Sequence, residues 1–179
     1  MLYNDKNIGT LEFDKVRAML AECAATEGAK ESALTLTPSV YPEEILRRLR
    51  RTTDSRRLID AKGTPSFGLV GDVTDICERA DKGATLSARE LLDVANVLRT
   101  SRSLVDYIRT NKLFDTSIDE IFERLIPIKA LEDRIYRSII SEEMIADEAS
   151  PALADIRRKI RVSNIKIKEA LSKYLSGSY

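Results

Sequence analysis

The residues of this chain best suited to chemistry are lysines near its carboxyl end. Lys166, Lys168 and Lys173 lie in a stretch where Glu169 is the only nearby acidic residue. Exposed ammonium groups of this kind neutralise the phosphates of nucleic acids and release their counterions. The three lysines are therefore candidate nucleic-acid contacts, although the same charges also suit a helix face that is simply solvated.

A long helix is predicted to carry these lysines, in the segment formed by residues 147–179. Ser150 is a good N-cap, and Pro151 sits at a first helical position where its missing N–H costs nothing. A helix from Pro151 to Leu175 would be about 37 Å long, so it is expected to project from the rest of the chain. The following residues recur at alternating steps of three and four, the spacing of a coiled-coil seam, and are called the apolar seam here: Leu153, Ile156, Ile160, Ser163, Ile167, Ala170 and Tyr174.

The charge of the chain is divided unevenly along its length. The 179 residues hold 29 Lys/Arg and 29 Asp/Glu, but residues 151–179 hold seven Lys/Arg and two Asp/Glu, a net +5 that leaves −5 on residues 1–150. A basic arm on an acidic body favours an anionic partner, nucleic acid first, and a solvated coiled-coil face would carry a similar charge.

The amino-acid composition and the sequence motifs give little reason to expect an enzyme. The chain has no histidine, which removes the commonest metal ligand and the usual base of a nucleophilic pair. Cys23 and Cys77 lie far apart without a CxxC spacing, and no phosphate-binding GxxxxGK[ST] loop is present. We therefore expect no catalytic residue, metal or cofactor in this chain.

A membrane location is not expected either. No apolar run approaches the ~18 residues that a membrane span needs, and the start MLYNDKN lacks the basic flank and apolar core of a signal peptide. The sequence predicts a cytoplasmic protein with no membrane partner.

Helix signals dominate the remaining residues and predict an all-α fold, an irregular bundle of about seven helices without a convincing strand. Capping boxes are predicted at Ser87-x-x-Glu90 and Ser117-x-x-Glu120. The first helix is expected to begin after Thr10 and to reach Ala24. A long helix is expected from Pro42 to Gly63, with these residues on its buried side: Ile45, Leu46, Leu49, Leu58 and Ile59.

That long helix also carries six arginines. A phosphate-binding face is one interpretation, but an ordinary solvated surface with local ion pairs is favoured, because surface charge is the default state of a helix. The six are Arg47, Arg48, Arg50, Arg51, Arg56 and Arg57.

Three short patterns give the chain a family resemblance. Residues 11–15 read LEFDK, and Leu36-Thr37-Pro38 follows at the spacing where a second helix would end. The more specific pattern is Ile145-x-Asp147-x-Ala149-Ser150-Pro151-x-Leu153-x-x-Ile156-Arg157. Together they resemble the second bacterial branch of the MutS proteins, MutS-two, whose members carry a C-terminal Smr nuclease domain. Thr53-Asp54-Ser55 departs from the Thr-Glu-Ala-like run more usual there.

The resemblance implies a division of labour along the chain. Residues 1–146 would be the first part of the core or lever domain, and residues 147–179 the outgoing arm of the clamp coiled coil, truncated and without its returning arm. The full-length protein would be a homodimeric ATPase that uses ATP and Mg, carries the nuclease further downstream, binds branched or duplex DNA, restrains recombination and acts on stalled ribosomes. The alternative from the residues alone is a helical protein-interaction module that uses its heptad arm without nucleic acid.

Overall fold

Nine α-helices make up most of the chain in the computed structural model, which describes residues 5–68 and 70–177. The order is α1 (Asp5–Thr10), α2 (Phe13–Glu22), α3 (Glu27–Leu34), α4 (Pro42–Lys62), α5 (Thr74–Asp81), α6 (Ala88–Arg109), α7 (Asp119–Glu123) and α8 (Lys129–Ser138). A small antiparallel hairpin, β1 (Ile139–Ser141) with β2 (Met144–Ile145), leads through a 3₁₀ turn at Asp147–Ala149 to α9 (Pro151–Ser176). The predicted all-α class, an irregular helical bundle, is confirmed.

α6 and α8 are joined by an apolar cluster of Ala95, Ile135 and Ile139 and by an ion pair to a buried carboxylate. Glu132 of α8 is 3% exposed, and its carboxylate accepts hydrogen bonds from Arg102 of α6 through Nε at 2.9 Å and Nη2 at 2.8 Å. Hydrogen bonds from Arg102 hold the pKa of Glu132 below its usual value despite the burial. Arg99 lies 3.6 Å from the same carboxylate and 4.1 Å above the ring of Tyr136. Two helices are thereby held in one register.

An apolar cluster and a lysine cap join α4 to the end of α6. Leu58, Ile108 and Ile118 are buried together. Lys62, the last residue of α4, donates from Nζ to the carbonyl oxygens of Tyr107 at 3.0 Å and of Thr110 at 2.7 Å. These carbonyls belong to the last turn of α6, where acceptors lack helical donors, so a cation from another element stabilises the helix end.

The chain leaves an unusually large surface uncovered. It exposes 14143 Å², whereas a compact monomer of 20.1 kDa would expose about 8,700 Å² by the usual scaling of surface with mass. Many large apolar side chains share this exposure, among them Leu11, Met19, Leu46 and Leu49. The helices therefore form an open arrangement rather than a closed core.

The predicted buried side of α4 is wrong for four of its five residues. Leu58 is buried, but Leu46 is 66% and Leu49 58% exposed, and Ile45 and Ile59 are also exposed. The face that packs against α6 and α7 instead carries Arg51, Asp54 and Leu58. The apolar residues of α4 do form a stripe along one side of the helix. The contacts with α6 and α7 are made by the opposite side.

The second capping box is also wrong, while the first is confirmed. Ser87 and Glu90 exchange hydrogen bonds in both directions, with Glu90 N donating to Ser87 Oγ at 3.3 Å and Ser87 N to Glu90 Oε2 at 2.7 Å. Ser117 does not cap α7: its backbone N–H, from which Glu120 would accept a hydrogen bond in a capping box, donates to Asp54 Oδ2 at 2.8 Å, and its buried Oγ has no hydrogen-bond partner among the described residues. A long-range partner has replaced the local one.

The predicted first helix is present as α2 but is shorter than expected, and the helix that precedes it, α1, was not predicted. α1 ends at Thr10 and α2 begins at Phe13, because Glu12 between them adopts a left-handed conformation with φ of 52°. Thr10, the expected N-cap, is instead the last residue of α1, and a sharp turn at Glu12 starts the next helix two residues later than predicted. Nothing in the local apolar pattern signals that turn.

The orientation of α4 predicts that replacing two leucines of this helix by alanine lowers the free energy of unfolding by different amounts. Leu58→Ala leaves a cavity among buried residues and should lower the free energy of unfolding by about 2–4 kcal/mol. Leu46→Ala, on the exposed side, should lower it by less than about 0.5 kcal/mol. Urea unfolding followed by far-ultraviolet circular dichroism gives both values. Equal losses in the two variants would contradict this orientation of α4.

Candidate nucleic-acid interface

The helix that holds the candidate lysines begins and ends with local caps. Ser150 Oγ accepts a hydrogen bond from the backbone N–H of Leu153 at 3.1 Å, and Pro151 is the first helical residue, so the predicted start is confirmed. At the other end Gly177 N donates to Lys173 O at 3.0 Å. The predicted arm extended to Tyr179, but Ser178 and Tyr179 lie outside the described residues.

Almost nothing covers this helix within the described structure. Every residue from 158 to 177 is exposed, including members of the apolar seam: Ile160 is 53%, Ile167 56% and Tyr174 84% exposed. Leu171 lies about 50° from the centre of this stripe and is also exposed. An amphipathic helix whose apolar stripe faces water has a free binding surface.

The helix also carries apolar side chains away from the seam. Val162 and Ile165 are 47% and 55% exposed and lie roughly opposite the seam, at about 100° of rotation per residue. The heptad pattern did not single them out, because it selects one side of the helix only.

The three predicted lysines do not share one face of α9. Lys166 and Lys173 are seven residues apart and lie within about 20° of each other around the helix. Lys168 lies about 140–160° from both, on the other side of the apolar seam. Lys159, which sequence reasoning missed, precedes Lys166 by another seven residues, and that spacing is the signal that could have identified it.

These four lysines differ from the other cations of α9 in having no carboxylate at ion-pair distance among the described residues. Arg158 pairs with Asp155 at 3.0 Å. Arg157 and Arg161 pair with Asp147. Only unpaired cations can exchange their hydration and counterions for a phosphate without first breaking an internal contact.

Asp147 fixes the base of α9 to the rest of the chain. Its two carboxylate oxygens contact Arg157 Nη1 at 2.5 Å and Arg161 Nη1 at 3.0 Å. Arg157 Nη1 also donates to the carbonyl of Ile145, in the last strand of the hairpin, at 2.8 Å. Hydrogen bonds from Arg157, and then from Arg161, hold the pKa of Asp147 below its usual value. We call the three charged residues Asp147, Arg157 and Arg161 the arm latch.

The arginine-rich helix α4 is mostly paired internally. Arg51 pairs with Glu120 of α7, and Arg48 with Glu44 at 2.5 Å. Arg50 and Arg57 approach the buried Asp54 at 3.9 and 3.8 Å. Four of the six arginines therefore have an acidic neighbour, which favours the solvated, ion-paired interpretation of this helix over a phosphate-binding face.

The described residues contain neither a cluster of metal-ligating side chains nor a helix that could span a membrane. Residues 5–68 and 70–177 contain no group of three or more His, Cys, Asp or Glu side chains arranged to hold a metal ion. Across the same ranges, no helix combines the length and apolarity that crossing a bilayer requires.

Known proteins similar to this chain were found by sequence, although no protein-family model matches it. A protein named endonuclease MutS2 from Acetivibrio thermocellus is 38% identical over 178 residues, which is 98% of this chain and 22% of the relative. Proteins of the same name from Lachnoclostridium phytofermentans and Clostridium beijerinckii are 35% and 32% identical, over 98% and 94% of this chain and 23% and 22% of their own lengths. The chain thus spans less than a quarter of these relatives.

The arm latch predicts that the Asp147 carboxylate limits how far α9 moves relative to the rest of the chain. Asp147→Asn removes the charge shared by Arg157 and Arg161, so the distance between body and arm should become more variable. Spin labels at Ser103 on α6 and Ser172 on α9 would report this as a broader distance distribution in electron–electron double resonance.

The control for this measurement is Asp155→Asn, which removes the same charge from an exposed pair within α9. Its distance distribution should match that of the parent, and a parent-like distribution in Asp147→Asn would contradict the latch. The exposed Cys23 and Cys77 are replaced by serine in all proteins, so that labels attach only where intended.

The latch also has a defined pH dependence. Because the folded-state pKa of Asp147 lies below the ordinary value of 3.8, its stabilising effect is fully present above that pH and is lost as pH falls through the lower folded-state pKa. The parent distribution should therefore stay narrow from neutral pH down to the ordinary value.

Proposed function

Because this chain belongs to the MutS2 family along nearly its whole length, we propose that it is a lever and clamp segment of a nucleic-acid-binding MutS2 ATPase. Residues 1–146 act as the first part of the lever, and residues 147–179 as the outgoing arm of the clamp. The observation that carries the proposal is an uncovered basic helix whose base is tied to the body by an ionic latch.

The latch gives the segment a route for transmitting movement. Arg102 and Glu132 join α6 to α8, and α8 continues directly into the hairpin. The buried Ala146 donates its N–H to the carbonyl of Ser138 at 2.9 Å. This hydrogen bond ties the residue before Asp147 to the end of α8. A rotation of α8 would therefore move the hairpin, the latch and the arm together, as a mechanical lever requires.

The arm supplies the binding half of the function. Lys166, Lys168 and Lys173, together with Lys159, present unpaired charge to solvent, and such charge binds phosphodiester backbones without reading sequence. Branched or duplex DNA and ribosomal RNA share that chemistry. In the full-length protein, a homodimer in the cytoplasm, the segment would couple ATP- and Mg-dependent movements to clamps that restrain recombination or act on stalled ribosomes.

Catalysis belongs to other parts of the full-length protein under this proposal. ATP turnover and endonuclease activity are assigned to segments outside this chain, which contains no phosphate-cradling glycine–lysine loop and no histidine. The contribution of this chain is binding and coupling, with no catalytic residue and no cofactor of its own.

Salt dependence tests the binding proposal on the 179-residue chain. Fluorescence anisotropy with a labelled branched DNA and a linear duplex should show weak binding that falls steeply as salt rises and changes little with sequence. The variant with alanine at Lys166, Lys168 and Lys173 should lower the log–log salt slope by at most about 2.7, at ~0.9 for each phosphate that the variant no longer neutralises. A parent chain that binds neither DNA would contradict the proposal.

A protein-interaction module is the second candidate function, and the exposed apolar seam favours it. Ile156, Ile160 and Ile167 present an apolar stripe, interrupted by Ser163, of the kind that another coil covers. A returning clamp arm would satisfy this surface in the first proposal, whereas an unrelated coil would satisfy it in the second. The two proposals differ in whether unpaired lysines beside the seam contact nucleic acid.

The seam predicts weak self-association of the chain through α9. Sedimentation velocity at rising concentration should show a shift toward dimer, because an uncovered apolar stripe gains by burial. Ile160→Lys should suppress the shift. Ile165→Lys, an equal change on the opposite side of the helix, should preserve it. Suppression by both changes to the same extent would contradict a seam-specific contact.

A further inference from the structure

One flank of α9 carries a row of three lysines. Lys159, Lys166 and Lys173 follow at intervals of seven residues, so they lie within about 40° around the helix and extend over about 21 Å along its axis. All three are exposed, and none has a carboxylate at ion-pair distance among the described residues. We call these residues the lysine row.

The opposite flank offers much less free charge. Arg157, Arg161 and Lys168 lie there, but Arg157 and Arg161 are both bound to Asp147. Recruiting them for a ligand would require breaking the arm latch. Lys168 is therefore the single free cation on that flank within the described helix, which is too little for a multi-phosphate contact.

The apolar seam lies between the two flanks, about 100° from each. A coil that covers the seam would leave the lysine row open to solvent. The row can therefore bind a ligand while the seam is occupied, so the two surfaces do not compete.

We propose that the lysine row is the phosphodiester-contacting face of this chain, that Lys159 belongs to it, and that Lys168 does not. This inference rests on the nucleic-acid binding proposed above and assigns it to one side of the helix. The row is as long as the axial rise of about six base pairs at ~3.4 Å each, so a duplex laid along it presents phosphates over the length of the row.

Two acidic residues lie close to the row and limit its strength. Asp155 is already paired with Arg158 at 3.0 Å. Glu169 has no ion-pair partner among the described residues, and it lies within one turn of both Lys166 and Lys173. Its charge reduces the attraction of the row for phosphate, which makes Glu169 a position where binding can be increased.

The test compares two variants that each lose one exposed positive charge from the same helix. Lys159→Ala should lower the log–log salt slope on a short DNA duplex by about 0.9, and Lys168→Ala should leave it unchanged. The same 179-residue proteins are titrated with an RNA duplex of the same sequence. Tighter binding of DNA or of RNA then identifies the source of the phosphodiester, and either supports the row.

A gain-of-binding variant separates this effect from damage to the fold. Glu169→Gln should raise the affinity for the DNA duplex about twofold at low salt. This is the size expected when one negative charge, which repels the phosphates, is removed from the helix surface beside the row. Misfolding could not produce such a gain, and an unchanged or lower affinity would count against the row.

The failure of this inference differs from the failure of the proposed function. If Lys168→Ala lowers the slope as much as Lys159→Ala, the chain binds nucleic acid but the assignment to one flank is overturned. If the parent binds neither duplex, nucleic-acid binding itself is wrong, and the assignment of the row is overturned with it.

Discussion

The position of the C-terminal helix depends on the ion pair between Arg102 and the buried carboxylate of Glu132. Because Glu132 is 3% exposed, its carboxylate charge must be compensated closely, and two hydrogen bonds from Arg102 at 2.8 and 2.9 Å do this. It holds α8 against α6, and α8 leads directly into the hairpin and then to the arm latch at Asp147. In an otherwise open chain, this connected series of contacts gives the arm a defined direction.

Electrostatic pairing divides the basic residues of the chain into two groups with different roles. Arginines of α4 and of the arm base mostly have acidic neighbours, which suits them to holding elements together. The lysines of α9 lack such neighbours among the described residues and remain available to a ligand. This division explains how a chain with no net charge can still present a basic surface.

Sequence reasoning succeeded where local chemistry determined the structure and failed where long-range contacts did. The start of α9 at Pro151 and the capping box at Ser87 were predicted, since both depend on neighbouring residues. The exposed side of α4 and the absence of the Ser117 cap were not, because Asp54 and Glu120 contact residues about 60 to 70 positions away. For the candidate interface, the sequence indicates the three lysines, but their division between two flanks follows only from the geometry of the helix, and their contact with nucleic acid stays a prediction.

Hydrogen–deuterium exchange of the 179-residue chain, with and without a short duplex, tests the central claim most directly. The claim is that an exposed arm, rather than the arginine-rich helix, contacts nucleic acid. It predicts slower exchange in α9 between residues 158 and 177 when the duplex is added, and no change in α4. Slower exchange in Pro42–Lys62 with none in α9 would contradict it.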